Sequence, residues 1–337
     1  MISLRNAAIC TLMSVVAGLI GGIGPIAGTL IVLNKSDHNA ALVDPDTFKV
    51  LATLPTGRGP HEAAVSPDGR LAYVTNYGAY AVFRERSEHR MEPGNTITVL
   101  DLKDSKVKTT FDLDDYTQPH GIRVSGDGAR LWVTCEGAGA VVELDAASGA
   151  VEKAWKTGQE ISHMLVPTPD GRKIYVANIG SGSVTVIDRD GDAVRSIPTG
   201  DGAEGIDVTP DGREVWVTNR GAGTISVIRV QDDRLIATFD SGGTFPIRLK
   251  FTPDGRQAWV SNGRSNTLVL FDTAKRAPLA TIEVGAMPVG IQMTPDGRRA
   301  FVANTNDDRV TVLDVVKAAV IDSFATGSEP DGMAWAR

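Results

Sequence analysis

The chain contains five histidines, and three of them occupy a single slot of a repeating phrase. The phrase is Pro-Asp-Gly-Arg followed by a short apolar run, degraded to Gly126-Asp127-Gly128 in one copy, and seven residues before its Asp stand His61, His120 and His163. The same count in later copies lands on Glu204, Ile247 and Val289, and Asp331 takes the slot in a last, incomplete copy. Neutral imidazoles with a carboxylate are the usual ligands of Zn, Mn, Fe or Cu. His61, His120 and His163 with Glu204 or Asp331 would hold such an ion and leave one position open, where it could polarise a carbonyl or activate water. Without a metal, His61, His120, His163 and Glu204 could act as general acid and base, since imidazole titrates near neutral pH. The bland alternative is a polar, water-filled opening with no ligand. Spacings of 59 and 43 residues between the histidines are not themselves a metal motif. The inference rests on aligning the repeats, and a slip of one residue would turn each imidazole into an interface instead.

Further candidates follow from the same alignment. One residue past the slot stand Glu62, Met164 and Arg248, where other copies have Gly. Glu62 is a candidate to orient a histidine, or else a surface ion pair. Arg248 and Arg220 are candidates to grip a substrate carboxylate or phosphate. Cys135 replaces an Asn that closes the second strand at Asn34, Asn76, Asn178, Asn219, Asn262 and Asn304. It reads as a thiolate ligand or nucleophile near His120, or as a small buried Cys. The Asn set is expected to cap loops by side-chain-to-backbone bonds. His38 and His89 fall in loops on the same side as the three slot histidines, and His38 is a candidate to contact the substrate.

The elements that position these residues come from the repeat itself. From Asp127 the phrase recurs at steps of 43, 41, 43 and 42 residues, and the step from Asp68 to Asp127 is 59. In Thr209-Pro210-Asp211-Gly212-Arg213, Pro presets φ, Asp bonds the backbone and Gly supplies a positive φ, so the phrase is a tight turn. Apolar alternation on both sides makes it a hairpin, and two more strands precede the next copy. Four short antiparallel strands in each unit of this length are the signature of a β-propeller blade. The expected fold is all-β, a seven-bladed propeller over 28–337. Its blades are 57–113, 114–158, 159–200, 201–242, 243–285 and 286–327, with a split blade from 328–337 and 28–56 that closes the ring. The segment Tyr77–Asn95 is an insertion in the first blade. Tyr77, Tyr80 and Phe83 would let it fold down as a lid, the alternative being a solvated loop. In a four-strand meander the slot residues and the loops joining strands two and three share one face. The Pro-Asp-Gly turns lie on the other and read as structural.

Tyr73-Val74-Thr75-Asn76, Tyr175-Val176-Ala177-Asn178, Trp216-Val217-Thr218-Asn219 and Phe301-Val302-Ala303-Asn304 each follow such a turn. With these the repeat resembles the YVTN family of β-propellers, which includes the YncE-like proteins, over roughly residues 28–337. The resemblance implies the fold and leaves function open, because members do unrelated things. Some YncE-like proteins imply DNA binding. The formal net charge of −7 opposes that, and opposes docking on anionic lipid.

Residues 1–27 differ in kind. Arg5 is their only charge and Ala7–Ile23 is apolar, so they read as a cleaved secretory signal that would leave the protein periplasmic or secreted. The alternative is a retained anchor. No c-type haem motif, Gly-rich phosphate loop or nucleophile elbow is present. Together these observations predict an exported monomeric propeller whose mouth binds a divalent transition metal and a small anionic substrate, as a lactonase-type hydrolase or a lyase. The rival expectation is a non-catalytic propeller that holds a ligand, cofactor or partner protein on the same face.

Overall fold

The computed structural model describes residues 28–78 and 92–337. Its recurring local unit is the turn. Gly212 takes φ 72°, the Gly212 N–H donates to the Thr209 carbonyl at 2.7 Å, and Asp211 Oδ1 accepts from the Thr209 hydroxyl at 2.7 Å and the Arg213 N–H at 3.1 Å. Each turn joins the innermost strand of a blade to the second, for example Ala203–Val208 to Glu214–Asn219.

These turns carry a pH dependence. Asp68, Asp127, Asp170, Asp211 and Asp254 all have carboxyls held below their ordinary value, first by the Ser or Thr hydroxyl two residues earlier. A carboxyl whose pKa is depressed on folding contributes stability above its unfolded value of about 3.9, and loses it as pH falls through the folded value. A variant carrying Asp170→Asn, Asp211→Asn and Asp254→Asn is therefore expected to be less stable than the parent at pH 7. The gap should shrink by pH 3, as read from urea unfolding at both values.

Seven four-stranded antiparallel sheets result, and the fold is the all-β seven-bladed propeller expected. The innermost strands are Pro60–Val65, Pro119–Val124, Ser162–Pro167, Ala203–Val208, Pro246–Phe251, Pro288–Met293 and Pro330–Ala336. We number the blades 1 to 7 in that order. Blade 7 is composite: Pro330–Ala336 pairs with Thr29–Asn34, with Leu30 opposite Trp335, and Asn39–Val43 and Val50–Pro55 complete it. Both ends of the ring thus gain a partner, and no inner edge is left at the seam.

Apolar side chains from adjacent blades fill the spaces between sheets. Ile31, Leu33 and Leu42 of blade 7 pack against Ala72, Val74 and Leu100 of blade 1. Second strands are buried on both faces and outermost strands are largely exposed, as Leu71–Asn76 and Lys106–Asp112 illustrate. The innermost strands bulge near their start, for example between Pro60 and Ala63 and between Ala203 and Ile206. A bulge re-aims the side chain it carries, and here it carries the slot residue. The blades come very close at this point. A Cβ on Gly332 would stand 2.0 Å from the His61 carbonyl oxygen of the next blade, which explains the Gly that follows most slot residues.

The second strand also holds the slot residue of its neighbour. The hydroxyl before the strand-ending Asn donates to that carbonyl: Thr75 to His120 at 2.7 Å, and Ser261 to Val289 at 2.9 Å. The Asn side chains differ from expectation. Their amides chiefly bond third-strand hydroxyls rather than loop main chain, as with Asn76 to Thr96 and Thr98 at 3.0 Å each and Asn219 to Thr224 and Ser226 at 3.0 Å each. The third strand presents Ser or Thr where these buried amide N–H groups need an acceptor, while the Oδ1 atoms of Asn76 and Asn219 are left without a partner among the described residues. Residues 1–27, which carry the signal expectation, lie outside the described residues. So does most of the proposed lid, including Tyr80, Phe83 and His89.

Candidate functional site

His61, His120 and His163 converge. Their ring centroids are 4.9 Å apart for His61–His120 and 3.7 Å for His120–His163. They come from three consecutive blades, and the bulge at the start of each innermost strand brings them to one mouth of the channel. His61 and His120 are buried, and the His163 side chain retains 12% exposure. Glu204 of blade 4 and Asp331 of blade 7 are buried beside them, and Ile247 and Val289 close the ring with apolar surface.

A second slot interleaves with the first. The residue after the strand-ending Asn or Cys is Lys35, Tyr77, Glu136, Ile179, Arg220, Gly263 or Thr305 in turn round the ring. The Tyr77 hydroxyl donates to Glu136 Oε2 at 2.6 Å, and its ring lies 4.8 Å from His61. Glu136 Oε1 makes a short contact with His163 Nδ1. His163 Nε2 is 3.5 Å from Glu204 Oε1, and Glu204 Oε2 accepts from Arg220 at 3.0 Å. Lys35 pairs with Asp331 at 2.9 Å. Among the slot's polar residues, only Arg220 is anticipated by the sequence as a binding group. Repeating the blade alignment one residue beyond the Asn would have shown Lys35 and Glu136 as well.

Burial and neighbours set the charges. Burial and then Lys35 push His61 down to about 4. Burial, and after it His163 and His61, push His120 well below the ordinary imidazole value. Burial also works to lower His163, but Glu136 and Glu204 outweigh it and raise its pKa. Burial would raise Glu204, yet the hydrogen bond and charge of His163, followed by Arg220, lower it. Asp331 is lowered in the same way, with Lys35 outweighing burial. The neutral His61 is held in one orientation by its Nδ1–H, which donates to the Gly59 carbonyl at 2.9 Å and leaves Nε2 as the lone-pair nitrogen.

Several expected roles need correction. Asp331 is a counter-ion rather than a free ligand, because Lys35 sits against it with side chains 1% and 3% exposed. Arg248 and Arg220 are engaged by the protein's own carboxylates: Arg248 bonds Glu62 at 2.7 Å across the channel, and Arg220 bonds Glu204. Glu62 therefore pairs with an arginine instead of orienting a histidine. His38 Nδ1 lies 2.9 Å from the Lys35 carbonyl oxygen and 3.1 Å from the Gly59 nitrogen, so this residue braces the main chain beside the mouth. Cys135 is fully buried in the apolar cluster of blades 1 and 2, and burial pushes its thiol pKa far up. This bears out the reading as a small buried Cys, and a thiolate role has no support there.

Among the described residues, the group suited to a metal ion is His120, Glu136 and His163, whose ligand atoms all lie within 4.8 Å of one another. Two donors each about 2.1 Å from one ion stand at most about 4.2 Å apart, so a small closing movement would let all three ligate. His120 Nδ1 is buried with no hydrogen-bond partner among the described residues, which leaves it available to a ligand. The residues present fit a divalent transition metal.

The fold and this mouth define a seven-bladed propeller with a buried, charged cluster at one end of its channel. The sequence matches the family described as "Lactonase, 7-bladed beta-propeller" over residues 34–280. The chain belongs to that family. A relative in Mycobacterium tuberculosis, the seven-bladed beta-propeller protein Rv1057, is 27% identical over 139 residues, which is 41% of this chain and 31% of that protein. The chain thus matches less than a third of that relative's length. Among solved structures, hydrazine synthase of Kuenenia stuttgartiensis superposes with TM-score 0.74 at 20% identity, covering 86% of this chain and 93% of that one. A functionally unknown protein of Desulfotomaculum acetoxidans gives 0.75 at 13%, covering 92% and 99%. The dihydro-heme d1 dehydrogenase NirN gives 0.62 at 18%, covering 89% and 64%. At such identities these structures show the shared fold alone.

Proposed function

We propose that this protein is a lactonase-type hydrolase that opens a small cyclic ester at the histidine mouth, with a divalent transition metal held by His120, Glu136 and His163. The observation that carries the reading is the buried, unpartnered His120 Nδ1 beside two further ligand groups. Membership of the lactonase propeller family supports the reaction class. When bound, the metal would polarise the ester carbonyl or lower the pKa of a water. His61 presents its lone-pair Nε2 at the same mouth and takes the proton of the attacking water. The water oxygen bonds to the acyl carbon, the bond from that carbon to the ring oxygen breaks, and the proton is delivered to the leaving oxygen, giving a hydroxy acid. Tyr77 holds Glu136 with its other oxygen toward His163. Arg220 is paired with Glu204 and Arg248 Nη2 with Glu62, so the arginines give no reason to require an anionic substrate at the histidine mouth. The Tyr-Val-Thr-Asn phrases support a place among the YVTN-type, YncE-like propellers, and the apolar run before residue 28 supports export.

Protein purified without chelator is expected to carry about one transition-metal equivalent per chain. The His120→Ala, His163→Ala double variant should carry none and should lose lactone hydrolysis. A metal-free wild type with undiminished lactone hydrolysis would remove the metal from the reading. A wild type that hydrolyses no lactone but binds small ligands at the mouth would leave the non-catalytic propeller standing.

A further inference from the structure

Below the mouth, on the side of the Pro-Asp-Gly turns, the channel contains a cavity of about 280 Å³. Its charged and polar lining is unusual for a chain of net charge −7. Arg123, Arg248 and Lys250 contribute cations, Glu62 contributes the one carboxylate, and Gln292 adds an amide. Arg123, Lys250 and Gln292 share a repeat slot three residues after the mouth slot, in blades 2, 5 and 6. The same slot in blades 1, 3 and 7 holds Ala64, Val166 and Ala334, which leaves room in the channel beside the long side chains, and in blade 4 it holds Asp207.

Among the described residues, two of the three cations have carboxylate partners, and Arg123 does not. Glu62 is taken by Arg248 Nη2 at 2.7 Å, and Asp207 takes Lys250 at 3.3 Å. Arg123 has no ion pair among the described residues; its Nη1 donates to the carbonyl of Ile122 in its own strand at 2.8 Å. Arg248 Nη1 is buried and makes no hydrogen bond, its nearest carboxylate being Glu204 at 3.8 Å. Buried donors of a guanidinium without acceptors are costly, and the groups that match their geometry are oxyanions.

We propose that this cavity is a second binding site, separate from the histidine mouth, for a small oxyanion such as a phosphate, sulfate or compact carboxylate group. Arg123 and Lys250 approach it from blades on different sides of the channel, and the Arg248–Glu62 pair forms its roof. At roughly 30 Å³ for each water, the volume accommodates one such group and several waters. The site is independent of the metal and of the hydrolytic reading.

The test uses metal-free full-length protein, with inorganic phosphate as probe and chloride at matched ionic strength as control. Calorimetric titration should show saturable binding of one phosphate per chain. Arg123→Gln and, separately, Lys250→Gln should each weaken it at least tenfold, while Arg123→Lys retains more of the affinity than Arg123→Gln. The His120→Ala, His163→Ala variant should bind phosphate as the wild type does. No saturable binding in the wild type, equal binding in both glutamine variants, or binding lost in the histidine variant would each overturn the proposal.

Discussion

Replacing Glu136 with Gln is expected to cut transition-metal affinity by more than about 100-fold and to abolish metal-dependent lactone hydrolysis. Groups that only orient a ligand typically cost 10–100-fold when removed, and Glu136 is placed to do more. Its Oε1 meets His163 Nδ1, and a carboxylate oxygen lies within 4.8 Å of a His120 ring nitrogen. Glutamine keeps the shape and one carbonyl oxygen but loses the anionic charge that a divalent ion needs. Tyr77→Phe provides the graded comparison. It removes the 2.6 Å bond that fixes Glu136 and leaves every ligand side chain itself intact, so its effect should fall within the orienting range. Metal titration of the two variants followed by circular dichroism, to establish that each is folded, separates these outcomes. Equal effects, or a Glu136→Gln protein with wild-type metal content, would remove Glu136 from the ligand set.

The second large effect is expected in stability. Lys35 and Asp331 form an ion pair whose side chains are almost wholly enclosed. Lys35 follows the strand Thr29–Asn34 and Asp331 lies in Pro330–Ala336, so the pair stands at the seam where the two ends of the chain meet. Removing one partner of such a pair leaves a buried charge uncompensated and costs about 3–5 kcal/mol. Asp331→Ala and Lys35→Met are each expected to destabilise the protein by that order in urea unfolding. The Lys35→Met, Asp331→Leu double variant should recover much of the loss, because replacing both charges with apolar groups of similar size is often close to neutral. Metal content should be unchanged in Asp331→Ala. This result distinguishes a structural counter-ion from the ligand that the repeat slot suggests, since a ligand's loss would lower metal content as well.

The two predictions mark different depths at which the chain can be read. The Pro-Asp-Gly turn, the period and the missing first strand at the N-terminal end are local or periodic features. Each is decided by φ preferences, hydrogen bonding within a few residues and apolar alternation. They are enough to specify seven blades and closure of the ring by strands from both ends. The convergence of His61, His120 and His163 was also legible, because a propeller repeats one backbone geometry and an equivalent slot must fall at an equivalent radius. Glu136 and Lys35 belong to a second slot in which no residue type recurs, so nothing in composition drew attention to it.

What the sequence determined by itself was therefore the ring and which side chains its bulged inner strands bring together. Partnership was decided only by tertiary structure. Which carboxylate meets Arg248, which lysine neutralises Asp331 and which imidazole nitrogen is left without a bond all depend on contacts between residues remote in the chain, such as Arg248 and Glu62, 186 positions apart. In a buried site each charge is satisfied by the opposite charge nearest in space, and only the closed ring sets those distances.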